Sequence, residues 1–511
     1  MNNKPNIVII IADDLRADAL ENSLVQTSNI DALAADGVTF RQNFAANPVC
    51  APSRMANITG LYPSVNGHRS LYNMLKPYEE NLFKFLKEDG YETVLAGKNH
   101  MMTDEAIEES FSKRVGGMKD LMAARIQKLP PEKQKKVMQV LANTSFSELT
   151  RNPEAMKVLA DVMPMGRNPY PPGHRLHYAH YFGKAEKDSH MDTLIFDEAV
   201  RYLQSSPQQP FCLYVAAFLP HTPYHVEEPY FSMYDRSAMP APRPPLLDDK
   251  PHFMEALYDR LEMAKLTPED YREIRAVYYG MVTKLDDLVG KVIDELKSQD
   301  LYDDSVILFL SDHGDYTGDY GLPEKWPSDL KDVLTRVPLI IKFPGNAHAG
   351  RQVEALTQSL DIFPTLLEVT DIQTPYTHFG ESLIPVAAGE QPGRDAVYAA
   401  AGYDPREPQA FEKPMKSEHG FMGQYYHKVN LQNDDPTTVA RSAMIRTDAW
   451  KLIIRSAGKE ELYDLKNDPQ ELTNLIDSPE HADVQRELRD RLLYWYLRTS
   501  DNPHWKRDSS L

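Results

Sequence analysis

Cysteine is nearly absent: Cys50 and Cys212 are the only two in 511 residues. Two thiols cannot build a disulfide framework, so nothing in the chain calls for an oxidising compartment. Positive charge is also in short supply. With 56 lysines and arginines against 75 acidic residues, the net charge is −19. That excludes a surface built for nucleic acid or an anionic membrane, because those partners need clustered Lys and Arg. Any anionic ligand must therefore meet a local positive site. Long apolar runs are missing as well, since none approaches the roughly 18 residues of a membrane span. The one apolar stretch near the start, Ile7 to Ala12, is too short for a signal-peptide core and runs into Asp13-Asp14 without a small-residue cleavage site. The expected location is the cytoplasm, or the periplasm or exterior for a chain whose signal has been removed. Internal repeats and low-complexity tracts are lacking too.

What is present is the composition of a water-soluble globular protein, 42% hydrophobic and 26% charged, and the length suggests two to four domains. Ile7 to Ile11 is an unbroken β-branched run of the kind found in strands covered on both faces, which implies a mostly parallel sheet between helices. Helices are expected from Asn29 to Asp36, after a Ser28 cap, and from Tyr78 to Asp89, where Leu82, Phe85 and Leu86 share a face before Gly90. A longer one is expected from about Gly280 to Ser298, with Met281, Leu285, Leu288, Val289, Val292, Ile293 and Leu296 on one stripe.

Four strand-like runs end in polar residues: Ile7 to Ala12 into Asp13-Asp14, Thr93 to Ala96 into Lys98 and His100, Phe211 to Leu219 into His221, and Val306 to Leu310 into Asp312-His313. In open α/β sheets the ligand crevice lies at the carboxyl ends of the strands, so these distant residues are expected to converge. Between about Thr103 and Lys187 the sequence turns charge-mixed and helical, longer than a simple connection. It reads as a helical insertion, in which His174, Arg175, His177 and His180 either reach a ligand or lie on a solvated surface. Pro240 to Pro245 reads as an ordered loop. After Pro364 a smaller α+β unit is expected, with Trp450 to Arg455 and Glu461 to Leu465 paired across a Gly458 turn and a closing helix from Ala482 to Tyr496.

The chemistry concentrates around Cys50-Ala51-Pro52-Ser53-Arg54. Pro52 is pre-set for an early helical position, which places Cys50 at a helix N-terminus, where free N–H groups and the dipole favour an anion. Arg54, one turn later, adds a permanent cation able to grip a tetrahedral oxyanion through two donors. Cys212 lies inside a strand-like run, where burial is the ordinary role. Asp13, Asp14 and Asp312 would repel one another if they converged without a charge partner, and a divalent cation resolves this. Oxygen-rich ligation favours Ca²⁺ or Mg²⁺, and the imidazole of His313 leaves Mn²⁺ open.

The run from Cys50 to Arg54, followed by Thr59-Gly60, resembles the signature of the type I sulfatases of the alkaline phosphatase superfamily. The resemblance extends through Lys98, His221, Asp312-His313 and Lys325 in Leu322-Pro323-Glu324-Lys325-Trp326, and into Asp468-Pro469, Glu471 and Asn474-Leu475. It implies an α/β fold with a large mixed, mostly parallel sheet sandwiched by helices. An N-terminal catalytic domain would cover residues 1–365, with the helical insertion at about 103–187, and a C-terminal α+β subdomain would cover 366–511. It also implies that a maturation enzyme oxidises Cys50 to formylglycine, whose hydrated aldehyde is the nucleophile. One divalent metal, Ca²⁺ in the first instance, would be held by Asp13, Asp14, Asp312, His313 and the modified residue 50. The family often has Asn where this chain has His313. Arg54, Lys98, Lys325 and the metal would receive the sulfuryl group, His221 with Lys325 would protonate the leaving oxygen, and His100 would take a proton as sulfate departs.

A sulfate ester hydrolase acting on a sulfated carbohydrate is the leading expectation, with homo-oligomer formation open. The enzyme alternative is a phosphonate or phosphate monoester hydrolase, against which Lys98 and His100 argue, because the phosphonate relatives tend to carry uncharged hydroxyl residues there. The alternative outside enzymes is an anion-binding protein whose Cys50 is never converted.

Overall fold

The computed structural model describes residues 4–117, 126–127, 129–143, 158, 168–187, 190–245, 247–407, 410–418 and 423–500. In chain order its strands are β1 (Asn6–Ala12), β2 (Val38–Phe44), β3 (Glu92–Gly97), β4 (Lys113–Val115), β5 (Tyr181–Lys184), β6 (Phe211–Ala216) and β7 (Tyr224–Val226). These are followed by β8 (Ser305–Ser311), β9 (Leu339–Lys342), β10 (Arg351–Gln358), β11 (Val397–Ala401), β12 (Ser442–Arg446), β13 (Trp450–Arg455) and β14 (Glu461–Asp464). Eight of them form one sheet in the order β10-β2-β9-β8-β1-β6-β3-β4. Only β9 runs against its neighbours β2 and β8, and the other pairings are parallel. The expected fold class is the one found.

β1 lies inside this sheet, and each of its seven residues is buried. Val8, Ile10 and Ala12 pack on one face with the helices Met191–Gln204 and Pro268–Ser298. Ile7, Ile9 and Ile11 pack on the other with Met55 and Ile58 of the Cys50–Thr59 helix, Leu82 and Phe85 of the Leu82–Glu88 helix, and Phe363 and Leu366 of the Ile362–Thr370 helix. Alternate side chains of a strand point to opposite faces, so a strand covered on both must be apolar throughout.

The long helix begins at Pro268, twelve residues before the expected Gly280. Thr267 caps it, accepting the Asp270 N–H on its hydroxyl at 3.3 Å while the Asp270 carboxylate accepts the Thr267 N–H at 2.9 Å. Gly280 is an interior packing contact, because a side chain there would strike the Tyr230 carbonyl. The Tyr78 to Asp89 helix starts only at Leu82, where Asn81 accepts the N–H groups of Phe83 and Lys84. The strand expected to reach Leu219 stops at Ala216.

The segment expected to be helical from about 103 to 187 contains the helices Asp104–Ser110 and Pro131–Asn143 but also two strands. β4 extends the main sheet and β5 pairs with β7. Its parts at 118–125, 128, 144–157 and 159–167 lie outside the described residues.

The strands β11 to β14 form an antiparallel sheet, with β13 and β14 paired as expected. The Ala482–Arg498 helix covers it through Leu488, Leu492 and Trp495, and Trp495 meets Tyr62 edge-on at 4.9 Å. Pro364 sits within the Ile362–Thr370 helix, which packs on the main sheet. No helix among the described residues is long and apolar enough to cross a membrane.

Candidate active site

Asp13 and Asp14 continue β1, Asp312 and His313 continue β8, and the pairing of Ala12 with Ser311 sets the two pairs side by side. The backbone fixes them further. The Asp13 N–H donates to the Leu219 carbonyl at 3.1 Å and that of Asp312 to Ala12 at 3.3 Å. Asp14 adopts a left-handed φ of 66°, which aspartate tolerates better than most residues, and Tyr278 donates its hydroxyl to the Asp14 carbonyl at 2.7 Å.

Cys50 opens its helix as expected and is buried. The helix is pinned to the end of β8 by Ser53, whose hydroxyl donates to the Asp312 carbonyl at 2.6 Å, and by Arg54. Arg54 donates through Nε to Asp312 at 2.7 Å and through Nη2 to Asp13 at 3.2 Å. The sequence suggested two donors free for a ligand. In the structure two go to carboxylates, and Nη1 is the buried nitrogen without a protein partner among the described residues.

The Cys50 sulfur lies 3.4 Å from Asp13 Oδ1 and 3.2 Å from His313 Nε2. His313 Nδ1 is 2.9 Å from the Gly314 carbonyl, so that nitrogen carries the hydrogen and Nε2 faces Cys50, Asp13 and Asp312. A metal-binding histidine is oriented in this way by a backbone acceptor on its other nitrogen. Asp13, Cys50, Asp312 and His313 can together offer ligand atoms within 4.8 Å of one another, and Asp13, Asp14 and Cys50 do so with His221, which the sequence did not suggest as a ligand.

The charges agree with a cation at this place. Burial alone would lower His313, but Asp312, the Cys50 sulfur and Asp14 push it up to about 10. Burial raises Asp14 to about 8, with Asp13 adding to the shift and Lys325 and His313 opposing it. Asp13 goes the other way, because Lys98, His221, Arg54 and Lys325 outweigh its burial and hold it well below the carboxylate range.

Two lysines flank the cluster. Lys98 bonds Asp13, and Lys325 donates to Asp14 Oδ1 at 2.9 Å. His221 Nδ1 lies 2.6 Å from the Thr222 carbonyl, leaving Nε2 to face Asp14 Oδ2 at 4.0 Å. Burial and the nearby lysines push His221 and His100 below the usual histidine range, and His100 Nδ1 is buried without a protein partner among the described residues.

Of the insertion residues, His180 comes close, 3.9 Å from Glu324. Arg175 pairs with Asp270, His174 stacks on Tyr170, and His177 bonds the Tyr170 carbonyl. Sequence reading missed Glu324, Tyr425 and Lys428. Lys428 forms an ion pair with Glu324, and the Tyr425 hydroxyl is 3.3 Å from that of Thr222. Glu324 adjoins Lys325 and was findable there, whereas the stretch around Lys428 carries no motif.

Comparison with known proteins matches residues 5–372 to the sulfatase family and residues 409–496 to the C-terminal part of N-sulphoglucosamine sulphohydrolase. A multifunctional alkaline phosphatase superfamily protein of Trinickia caryophylli is 28% identical over 98% of this chain and 96% of its own. A choline-sulfatase of Rhizobium meliloti is 26% identical over 98% and 88%. The crystal structure of a phosphonate monoester hydrolase of Agrobacterium radiobacter superposes with a TM-score of 0.70 at 26% identity, over 97% of this chain and 96% of that one. The sulfatase match takes in the ends of β1, β3, β6 and β8 and the Cys50 helix, which together carry the buried cluster, and the chain belongs to the sulfatase family of hydrolases, in the alkaline phosphatase superfamily.

Proposed function

We propose that this enzyme hydrolyses sulfate esters of carbohydrates, using formylglycine made from Cys50. The observation that carries the reading is the placement of the Cys50 sulfur at a helix N-terminus, 3.4 Å from Asp13 and 3.2 Å from His313. Asp13, Asp14, Asp312 and His313 would hold one divalent cation with residue 50; their oxygen-rich set suits Ca²⁺ or Mg²⁺, the imidazole leaves Mn²⁺ open, and the family resemblance puts Ca²⁺ first. When bound, such an ion supplies Lewis acidity at residue 50 and at the sulfuryl oxygens.

The chain's own groups divide the remaining work. Lys98 on the Asp13 side and Lys325 on the Asp14 side would flank a sulfuryl group in front of residue 50, supplying local positive charge in an acidic protein. Lys325 Nζ, with His221 beside it, would serve the leaving ester oxygen as proton donor, and His100 would act as the base that releases sulfate. Support for a sugar comes from the match of residues 409–496 to the C-terminal part of a sulphoglucosamine sulphohydrolase, the segment that brings Tyr425 and Lys428 to this site.

A second reading, hydrolysis of phosphonate monoesters, is favoured by the similarity to the Agrobacterium radiobacter enzyme. The deciding experiment coexpresses the chain with a formylglycine-generating enzyme, measures the mass of the Cys50 peptide, and compares an aryl sulfate with an aryl phosphonate monoester. The expected result is formylglycine, preference for the sulfate, and loss of turnover by several orders of magnitude in Cys50→Ala. Preference for the phosphonate promotes the second reading. Full activity with an unmodified thiol sinks both.

A further inference from the structure

Lys325 reaches the site from a crowded position. Its ammonium lies 2.9 Å from Asp14 Oδ1 and also 3.4 Å from Oε1 of its own neighbour Glu324. Both carboxyl groups are buried, and both draw on the one ammonium. The competition is settled from outside the sulfatase-matched segment. Lys428, from the Tyr426–Asp434 helix, is buried and directs its ammonium at two acceptors, Glu324 Oε2 and the Lys325 carbonyl. It also sits over the Trp326 ring, 5.7 Å from the centroid. Glu324 is held from other directions by its N–H to Tyr224 at 2.9 Å and by its carbonyl, which accepts the Tyr316 N–H at 2.7 Å.

We propose that Lys428 is a positioning residue for Lys325: by neutralising Glu324 and fixing the Lys325 backbone, it keeps the Lys325 ammonium aimed at Asp14 and the leaving oxygen. Without Lys428 the whole charge of Glu324 faces Lys325 one residue away, and the ammonium turns from the site toward it. In a buried setting the attraction between such groups is weakly screened, so a shift of this kind follows from removing a single charge. The inference rests on the reading of Lys325 as proton donor to the leaving group.

That dependence sets the test. A poor donor matters little when the leaving group departs readily as an anion and much when it does not, so the measured quantity is kcat on a series of aryl sulfates of rising leaving-group pKa. The probes are para-nitrophenyl sulfate and phenyl sulfate, acting on formylglycine-bearing full-length protein. Lys325→Ala serves as the reference for loss of the donor. Lys428→Met alone would strand the Glu324 carboxylate, so the double variant Lys428→Met/Glu324→Gln, which removes both charges, is measured beside it.

Lys428→Met is expected to lose about tenfold in kcat on para-nitrophenyl sulfate and about a hundredfold on phenyl sulfate, with KM nearly unchanged. Lys428→Arg should recover most of the loss. The double variant, which lacks the competing Glu324 charge, should recover part of the loss on phenyl sulfate. Equal losses of Lys428→Met on the two substrates, or losses confined to KM, overturn the proposal while Lys325→Ala keeps its leaving-group dependence. If Lys428→Met does not fold, a double variant that folds yet is as impaired as Lys325→Ala overturns it instead. Should Lys325→Ala itself show no leaving-group dependence, the donor reading of Lys325 fails and this inference falls with it.

Discussion

Arg54 Nε lies 2.7 Å from Asp312 Oδ2, and both side chains are fully buried. The bond ties the helix that presents Cys50 to the strand end that presents Asp312 and His313, so the nucleophile position and two proposed ligands share one rigid joint. The same guanidinium reaches Asp13 at 3.2 Å, which brings the end of β1 into the joint.

Replacing Arg54 by Met should therefore act on stability before chemistry. Removing one partner of a buried pair leaves uncompensated charge and costs about 3–5 kcal/mol. The loss should be largest in chelator-treated protein, because a bound divalent cation would neutralise the same carboxylates. Denaturant unfolding of wild type and Arg54→Met, each with and without Ca²⁺, checks this. Arg54→Lys should recover little, since an ammonium cannot span Asp13 and Asp312 as the planar fork does. A cost below about 1 kcal/mol, unchanged by Ca²⁺, would contradict the assignment.

Chelation offers a second check on the proposed cation. A ligand that binds only the folded state stabilises it by about 2.7 kcal/mol at a free concentration one hundred times its Kd. Adding Ca²⁺ to chelated protein should thus raise the unfolding midpoint, and Asp312→Asn should abolish the rise. A midpoint indifferent to Ca²⁺, Mg²⁺ and Mn²⁺ alike would show that these carboxylates hold no such ion.

The sequence exposed the parts of the site that local pattern encodes. A β-branched run running into Asp13-Asp14, and a proline two residues after Cys50, each announce a strand end or a helix start that the structure contains. Gly280 misled because an interior glycine that admits the Tyr230 carbonyl looks the same in sequence as one that opens a helix. Lys428 was illegible for another reason. Its partner Glu324 is 104 residues away, and the pairing exists only after the Tyr426–Asp434 helix has docked. The sequence assigned two Arg54 donors to a ligand, and it could not show that two go to carboxylates instead, because those carboxylates come from strand ends 41 and 258 residues distant.

Gly314 tests how closely the His313 loop must fit. Its N–H donates to the Leu334 carbonyl at 2.8 Å and the next N–H to Val333 at 3.1 Å. A methyl group on Gly314 would run into the Val333 carbonyl oxygen, which is backbone and cannot rotate aside. Gly314→Ala should destabilise the protein by about 1–3 kcal/mol, as overpacking does. The Gly314 carbonyl orients His313, so kcat should fall at least about tenfold while circular dichroism stays unchanged. Wild-type kcat in that variant would show that the loop has slack.

Glu461 on β14 is buried and paired with Lys331 at 2.5 Å and with Arg455 at 2.5 Å, and Asp332 pairs with Lys451 at 2.7 Å. Burial would raise both carboxyls, but the lysines and arginines around them hold both well below the carboxylate range. A group whose folded pKa is depressed contributes stability that is complete above its unfolded value, near 4.5 for Glu461, and drains away as pH falls through the folded one. Glu471 in the same network works in the opposite sense, since burial raises it despite Lys451. The antiparallel sheet should therefore loosen from the segment bearing Lys331 and Asp332, at the start of the Asp332–Thr335 helix, as pH drops below about 4.5, and that segment lies shortly after Lys325. Glu461→Gln should lower the melting temperature at pH 7 and flatten its fall between pH 5 and pH 3, because the proton that the unfolded wild-type chain takes up at Glu461 has no site in the variant. A mutant curve parallel to wild type over that range would place the acid sensitivity elsewhere.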